Sequence, residues 1–321
     1  MVYSVIATSL MYAIIKYLKD FSVYQIIFFR ALISLSFTTP LILLTKIKIL
    51  GNNKLILLFR AFLGLISMIL FFQSIKYLDL GISVSIRYTS PIFATVFAVF
   101  FLKEKIKIIQ WVFIIISFSG VVLINLIGVE IDLIGLMYAL LSAISLGLVF
   151  LITNKIGNTE SPLVILNYFM FIALIFSGLM LIDKWVIPSF FNLMLLIVSG
   201  GLGHIGVLYL TKSFQNSKVN IVAPIKYLEV IFAIILGVCF FQETYTEYSL
   251  LGIFLILTGV ILNTILKKKK KLTKTERVKL FVTLSNYIFP KTNSVRDQFT
   301  IEQLKEIEKQ EILDRDPDPT K

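Results

Sequence analysis

The chain has 321 residues, 57% of them hydrophobic and 16% charged, with a mean hydropathy of +0.90; no water-soluble fold can hide that much apolar surface. One cysteine, Cys239, excludes a disulfide framework and a cysteine zinc site, and one histidine, His204, leaves little for any other metal centre, so metal catalysis is not expected. The net charge of +12 is carried by lysines between apolar segments and in a tail, which reads as a topology signal rather than a nucleic-acid surface.

Apolar stretches long enough to cross hydrocarbon recur from the N-terminus, separated by short polar breaks. They run 3–18, 22–44, 55–76, 80–102, 106–127, 133–153, 163–182, 187–211, 219–241 and 248–266, which makes an all-α integral membrane protein of ten transmembrane helices. The first is short, and Lys16 is expected to snorkel from its end. No basic segment precedes it, so a cleaved signal peptide is not expected.

An even number of spans puts both termini on one side. Loops 45–54, 103–107, 154–162 and 212–218 hold nine lysines and Lys267 to Lys271 add five, against four at the opposite ends: Lys16, Lys19, Lys76 and Lys184. The positive-inside rule therefore predicts a multi-pass protein of the inner cell membrane with both termini cytoplasmic.

A shift of 139 residues lays 86–125 over 225–264 with twelve identities in forty positions, among them Tyr88/Tyr227, Glu104/Glu243 and Gly120/Gly259. Tyr, Glu and Gly matches at one constant offset are not expected from shared apolar composition. Each half holds five spans, so the second enters the membrane in the opposite sense, as two inverted five-helix repeats. The expected organisation is a first repeat over 1–127, a second over 133–266 and a basic cytoplasmic tail over 267–321.

The stretch 59–106, FRAFLGLISMILFFQSIKYLDLGISVSIRYTSPIFATVFAVFFLKEKI, with Arg60, Gly64, Gly81 and Pro91, resembles the drug/metabolite transporters built from two EamA repeats. The second half answers with SGGLGHIGVLYLTKSFQNSKVNIVAPIKYLEVIFAIILGVCFFQE, and the resemblance covers about residues 1–266. Family members commonly end helices four and nine with Gly-Glu; this chain has Lys103-Glu104 and Gln242-Glu243. The resemblance implies a cavity between the repeats, alternating access and no cofactor.

Polar side chains within spans are costly and mark candidate sites. Arg30 lies in the second span, Arg87 in the fourth, and Lys226 with Glu229 in the ninth. Arg87 and Lys226 are each eighth in their spans, counted from opposite faces, and would straddle the midplane. Lys226 and Glu229, three apart on one turn, could equally neutralise each other. Gln73, Tyr88 and Tyr227 offer amide and hydroxyl contacts to a ligand, or ordinary interhelical hydrogen bonds. Arg60, near the cytoplasmic end of its span, reads as a snorkelling residue.

His204 follows Gly200, Gly201 and Gly203, and either lines the cavity or caps a neighbour, while the glycines allow close helix approach or a local break. An intramembrane hydrolase built on Ser199 and His204 is disfavoured, because residues five apart on one helix point about 140° from each other. A non-transporting sensor or assembly protein would have no use for basic residues placed symmetrically about the midplane. The reading that remains is a secondary transporter of a small polar organic metabolite, anionic or zwitterionic: Arg30, Arg87 and Lys226 outnumber Glu229 by two. Partners are that substrate and the bilayer, with anionic lipid near Lys267 to Lys271; no nucleic acid is expected, and a homodimer stays open.

Overall fold

The computed structural model describes residues 1–266 except 46, 103–107, 127–131, 157–159, 184 and 217–224; the tail from 267 lies outside the described residues. Among the described residues the helices run in order α1 Val2–Tyr17, α2 Val23–Leu44, α3 Lys54–Tyr77, α4 Leu80–Arg87, α5 Ser90–Leu102, α6 Ile108–Leu126, α7 Leu133–Ile156, α8 Pro162–Met180, α9 Phe190–Asn216, α10 Leu228–Phe241 and α11 Glu247–Leu266. In hydrocarbon a helix satisfies its own backbone, which is why nearly every apolar run here is one. Among the described residues, seven segments have the length and apolarity of a membrane span, with α4 and α5 sharing one. Three shorter apolar helices, Val2–Tyr17, Ile108–Ile124 and Leu228–Phe241, bring the number of crossings to ten.

The helices pair so that exchanging the two halves maps the pattern onto itself. α6 packs on α11 and α2 on α8, each with its own counterpart; α1 on α9 corresponds to α7 on α3. Atomic contacts repeat the same relation. A Cβ on Gly120 would meet Gly252 O at 2.5 Å and Ile256 N at 2.9 Å, and one on Gly259 would meet Phe113 O at 2.5 Å and Ser117 N at 2.9 Å. These residues are partners at the offset of 139, so the matched glycines exist because α6 and α11 touch backbone to backbone. Likewise Ser4 of α1 donates to Gly206 O of α9 at 2.7 Å, and Ser142 of α7 to Ser67 O of α3 at 2.8 Å. The fold is thus two five-span repeats related by an inverted two-fold.

One expectation needs correction. The spans 80–102 and 219–241 are not continuous helices. The first breaks at Tyr88 and Thr89, where Pro91 removes the N–H that Arg87 O would accept and the chain tightens, Tyr88 N bonding Ser85 O at 3.1 Å and Thr89 N bonding Ile86 O at 3.0 Å. The second breaks at the repeat-equivalent residue Tyr227, with Val230 N on Tyr227 O at 3.1 Å. At the end of α1 the Lys16 ammonium is taken up by the Glu243 carboxylate and by Leu78 O, the latter at 2.9 Å, both in the breaks that follow neighbouring spans.

Candidate functional site

The two broken spans meet at their breaks. Tyr88 and Tyr227, partners in the repeat, lie ring to ring at 5.2 Å and 65°. The Tyr88 hydroxyl donates between the Glu229 carboxylate and Lys226 O, 3.1 Å away. Lys226 Nζ pairs with Oε2 of Glu229 at 2.8 Å and donates to Thr8 Oγ1 of α1 at 3.2 Å. The pairing of Lys226 with Glu229 weighed from the sequence is therefore formed. It takes both charges across the break itself, where α10 begins.

Among the described residues Arg30 and Arg87 have no such partner. The Arg30 side chain is buried, its Nη1 reaches only the Met68 sulfur at 3.4 Å, its guanidinium faces the Phe72 ring at 5.5 Å, and its Nε has no hydrogen bond. The Arg87 guanidinium lies 3.9 Å from the centre of the Phe71 ring and makes no ion pair among the described residues. Aromatic faces attract a guanidinium, but by about 2 kcal/mol at most ordinary sites, less than the several kcal/mol that burying an unpaired cation costs. Phe71 takes Tyr12 edge-on at 5.0 Å and lies 6.2 Å from Phe72, so the two guanidiniums share one aromatic wall.

Room for Arg30 comes from α9. A Cβ on Gly203 would meet Arg30 Nε at 3.0 Å and Met11 Sδ at 2.8 Å, and one on Gly200 would press on Ile33 and Arg30 Cα. Gly206 lets Thr8 approach, a Cβ there lying 2.5 Å from Thr8 Cγ2. The glycines of this helix permit close approach, with α9 unbroken. His204 belongs to the same region without joining the cluster: its Nδ1 is 3.3 Å from Ser34 Oγ and its ring stacks on Phe37 at 5.2 Å. Gln73 is part-buried on α3, and no contact among the described residues ties it to the break. Arg60 is held by Thr153 Oγ1 at 3.3 Å and faces Phe169.

Tyr12, Thr8, Met68, Phe71 and Phe72 were not expected at the site. Nothing in their sequence context separates them from lipid-facing or packing residues; only the repeat pairing, carried through to the helix contacts, would have pointed to α1 and α3.

A second polar cluster closes one end of the helices around the site. Glu243 is buried after α10 and takes Lys16, the N–H of Leu80 at 3.0 Å and the Tyr245 hydroxyl, which itself receives Gly81 N at 3.0 Å. Burial, then the Glu243 charge, raises the Asp79 carboxyl above its usual range, with Lys16 opposing. Burial, then hydrogen bonding to Glu243, raises the Tyr245 phenol. The repeat partner of Glu243, Glu104, lies outside the described residues.

The profile of the EamA-like transporter family matches residues 1–126 and 133–265. The chain is 27% identical to the S-adenosylmethionine uptake transporter of Rickettsia bellii over 258 residues, covering 78% of this chain and 86% of that one. It is 26% identical to human solute carrier family 35 member G1, covering 74% of this chain and 70% of that one. A solved crystal structure superposes with a TM-score of 0.57 at 12% identity, over 84% of this chain and 98% of the other, and so shares the fold. The matched family and these two sequence relatives are transporters and not enzymes. With both repeats matched by one profile and the same repeats present in the helix packing, this multi-pass membrane chain belongs to the EamA-like transporter family.

Proposed function

We propose that the chain is a secondary transporter that moves a small anionic or zwitterionic metabolite across the inner membrane by alternating access, holding its negative group on Arg30 and Arg87. The observation that carries this reading is the pair of guanidiniums on Phe72 and Phe71 with no carboxylate partner among the described residues. Such a pair is stable in the membrane interior when an anion joins it, and arginine suits carboxylate or phosphate bidentately. Two broken helices meeting near mid-span are where carriers built from inverted repeats typically bind substrate, and rocking of one repeat against the other about that site gives alternating access. Similarity to an S-adenosylmethionine uptake transporter adds a first compound to try, since its amino-acid end carries a carboxylate.

The test is uptake into proteoliposomes by the wild type and by Arg30→Gln and Arg87→Gln variants whose folding is checked. Losing a charge-assisted bond worth about 1.5–3 kcal/mol should cut apparent affinity for an anionic or zwitterionic compound by about ten- to a hundredfold. Normal uptake by both variants, or carriage of cations alone, overturns the reading.

A further inference from the structure

Glu229 is 1% exposed, and its two oxygens live differently. Oε2 receives both the Tyr88 hydroxyl and the Lys226 ammonium, while Oε1 is buried with no hydrogen-bond partner. An ionised carboxylate offers about four acceptor positions, and an oxygen left bare in the interior is expensive. A purely structural ion pair would use both oxygens, as Glu243 does when Oε1 and Oε2 each lie 3.0 Å from Leu80 N. Aromatic rings stand beside the same carboxylate: Tyr88 bonds its other oxygen through the hydroxyl and packs on Tyr227. Aromatic faces beside a carboxylate favour a cationic group.

We propose that Oε1 of Glu229 receives the positive group of the substrate, an ammonium or another onium, so that the carrier takes zwitterions: the negative end on Arg30 and Arg87, the positive end on Glu229. This rests on the assignment of the two arginines to the anionic group. A dianion would satisfy the arginines and leave Oε1 bare; a zwitterion satisfies both poles. Lys226 is then a built-in cation that competes for the same carboxylate, tethered to Oε2 and to Thr8.

That competition gives a signature no structural role would produce. Glu229→Gln and Lys226→Gln both break one ion pair, yet they should move affinity in opposite directions. The experiment measures proteoliposome uptake of methionine, lysine and S-adenosylmethionine as compounds with a zwitterionic end, succinate and inorganic phosphate as plain anions, and ethanolamine as a plain cation. Expected are carriage confined to compounds with a zwitterionic end, a KM raised about ten- to a hundredfold by E229Q, and a KM lowered by K226Q. Carriage of succinate or phosphate with the zwitterions excluded overturns the proposal and leaves the anion reading standing. So does a KM raised alike by E229Q and K226Q, or an E229Q variant that loses only pH-driven accumulation, which would make Glu229 a proton carrier. R30Q and R87Q without effect, or no uptake of any compound, overturns both.

Discussion

Gln242 ends α10 in the left-handed region, at φ 54° and ψ 32°, and among the described residues no other non-glycine has a positive φ. Relatives commonly place a glycine there, and the structure gives the reason: the chain must turn back so that Glu243 can reach the start of α4. A side chain in that conformation costs about 1–2 kcal/mol that glycine does not. Gln242→Gly should therefore stabilise the protein by about 0.5–1 kcal/mol, read as a raised midpoint of thermal unfolding in detergent. Gly237→Ala should do the reverse, because its Cβ would lie 2.1 Å from Glu243 Oε2 and push the carboxylate off Leu80. The same scale shows what a sequence can reveal of the site. Arg30, Arg87, Lys226 and Glu229 stand out because a charge in an apolar run has no cheap explanation. Phe71 and Tyr12 do not, because an aromatic in an apolar run explains itself equally well as packing, lipid contact or site.

Glu243 ties three elements together: the end of α1 through Lys16, the first turn of α4 through Leu80 N, and the entry to α11 through Tyr245. The arrangement is asymmetric in its dependence. Without Lys16 the carboxylate keeps the Leu80 N–H, the positive end of α4 and the Tyr245 hydroxyl; without Glu243 a part-buried ammonium keeps Leu78 O and the Phe241 ring, and the N–H of Leu80 loses its acceptor. Glu243→Ala should thus cost about 3–5 kcal/mol, as for a buried pair broken on its better-connected side, and Lys16→Met about 1–2 kcal/mol. Equilibrium or thermal unfolding of the two purified variants measures this, and equal losses would show that the ion pair, not the helix end, dominates. None of this was legible from α1, where a lysine one residue from the helix end looks like an interfacial anchor. The acceptor that captures it lies 227 positions away in sequence.

At the scale of the whole molecule the fold was legible and the breaks were not, for one physical reason. Length and apolarity fix where a span lies, and a constant offset of 139 residues fixes that there are two repeats. Neither says whether a span is a single helix, since a proline in a membrane helix is tolerated when neighbours satisfy the freed groups. Orientation is a separate matter, because the helix packing is unchanged if the molecule is turned over. It rests on the lysines: nine in the loops at 45–54, 103–107, 154–162 and 212–218, with the run from Lys267 to Lys271 on the same side. In a background where Cys239 is replaced, a cysteine in loop 45–54 should react with a membrane-impermeant thiol reagent only from the cytoplasm, and one in loop 128–132 only from outside. Three spans separate these loops, so they must lie on opposite faces whatever the orientation. Labelling with the two sides exchanged would reverse the orientation and leave the inverted repeats intact; labelling of both from one side would contradict five crossings per half and with them the two-fold itself.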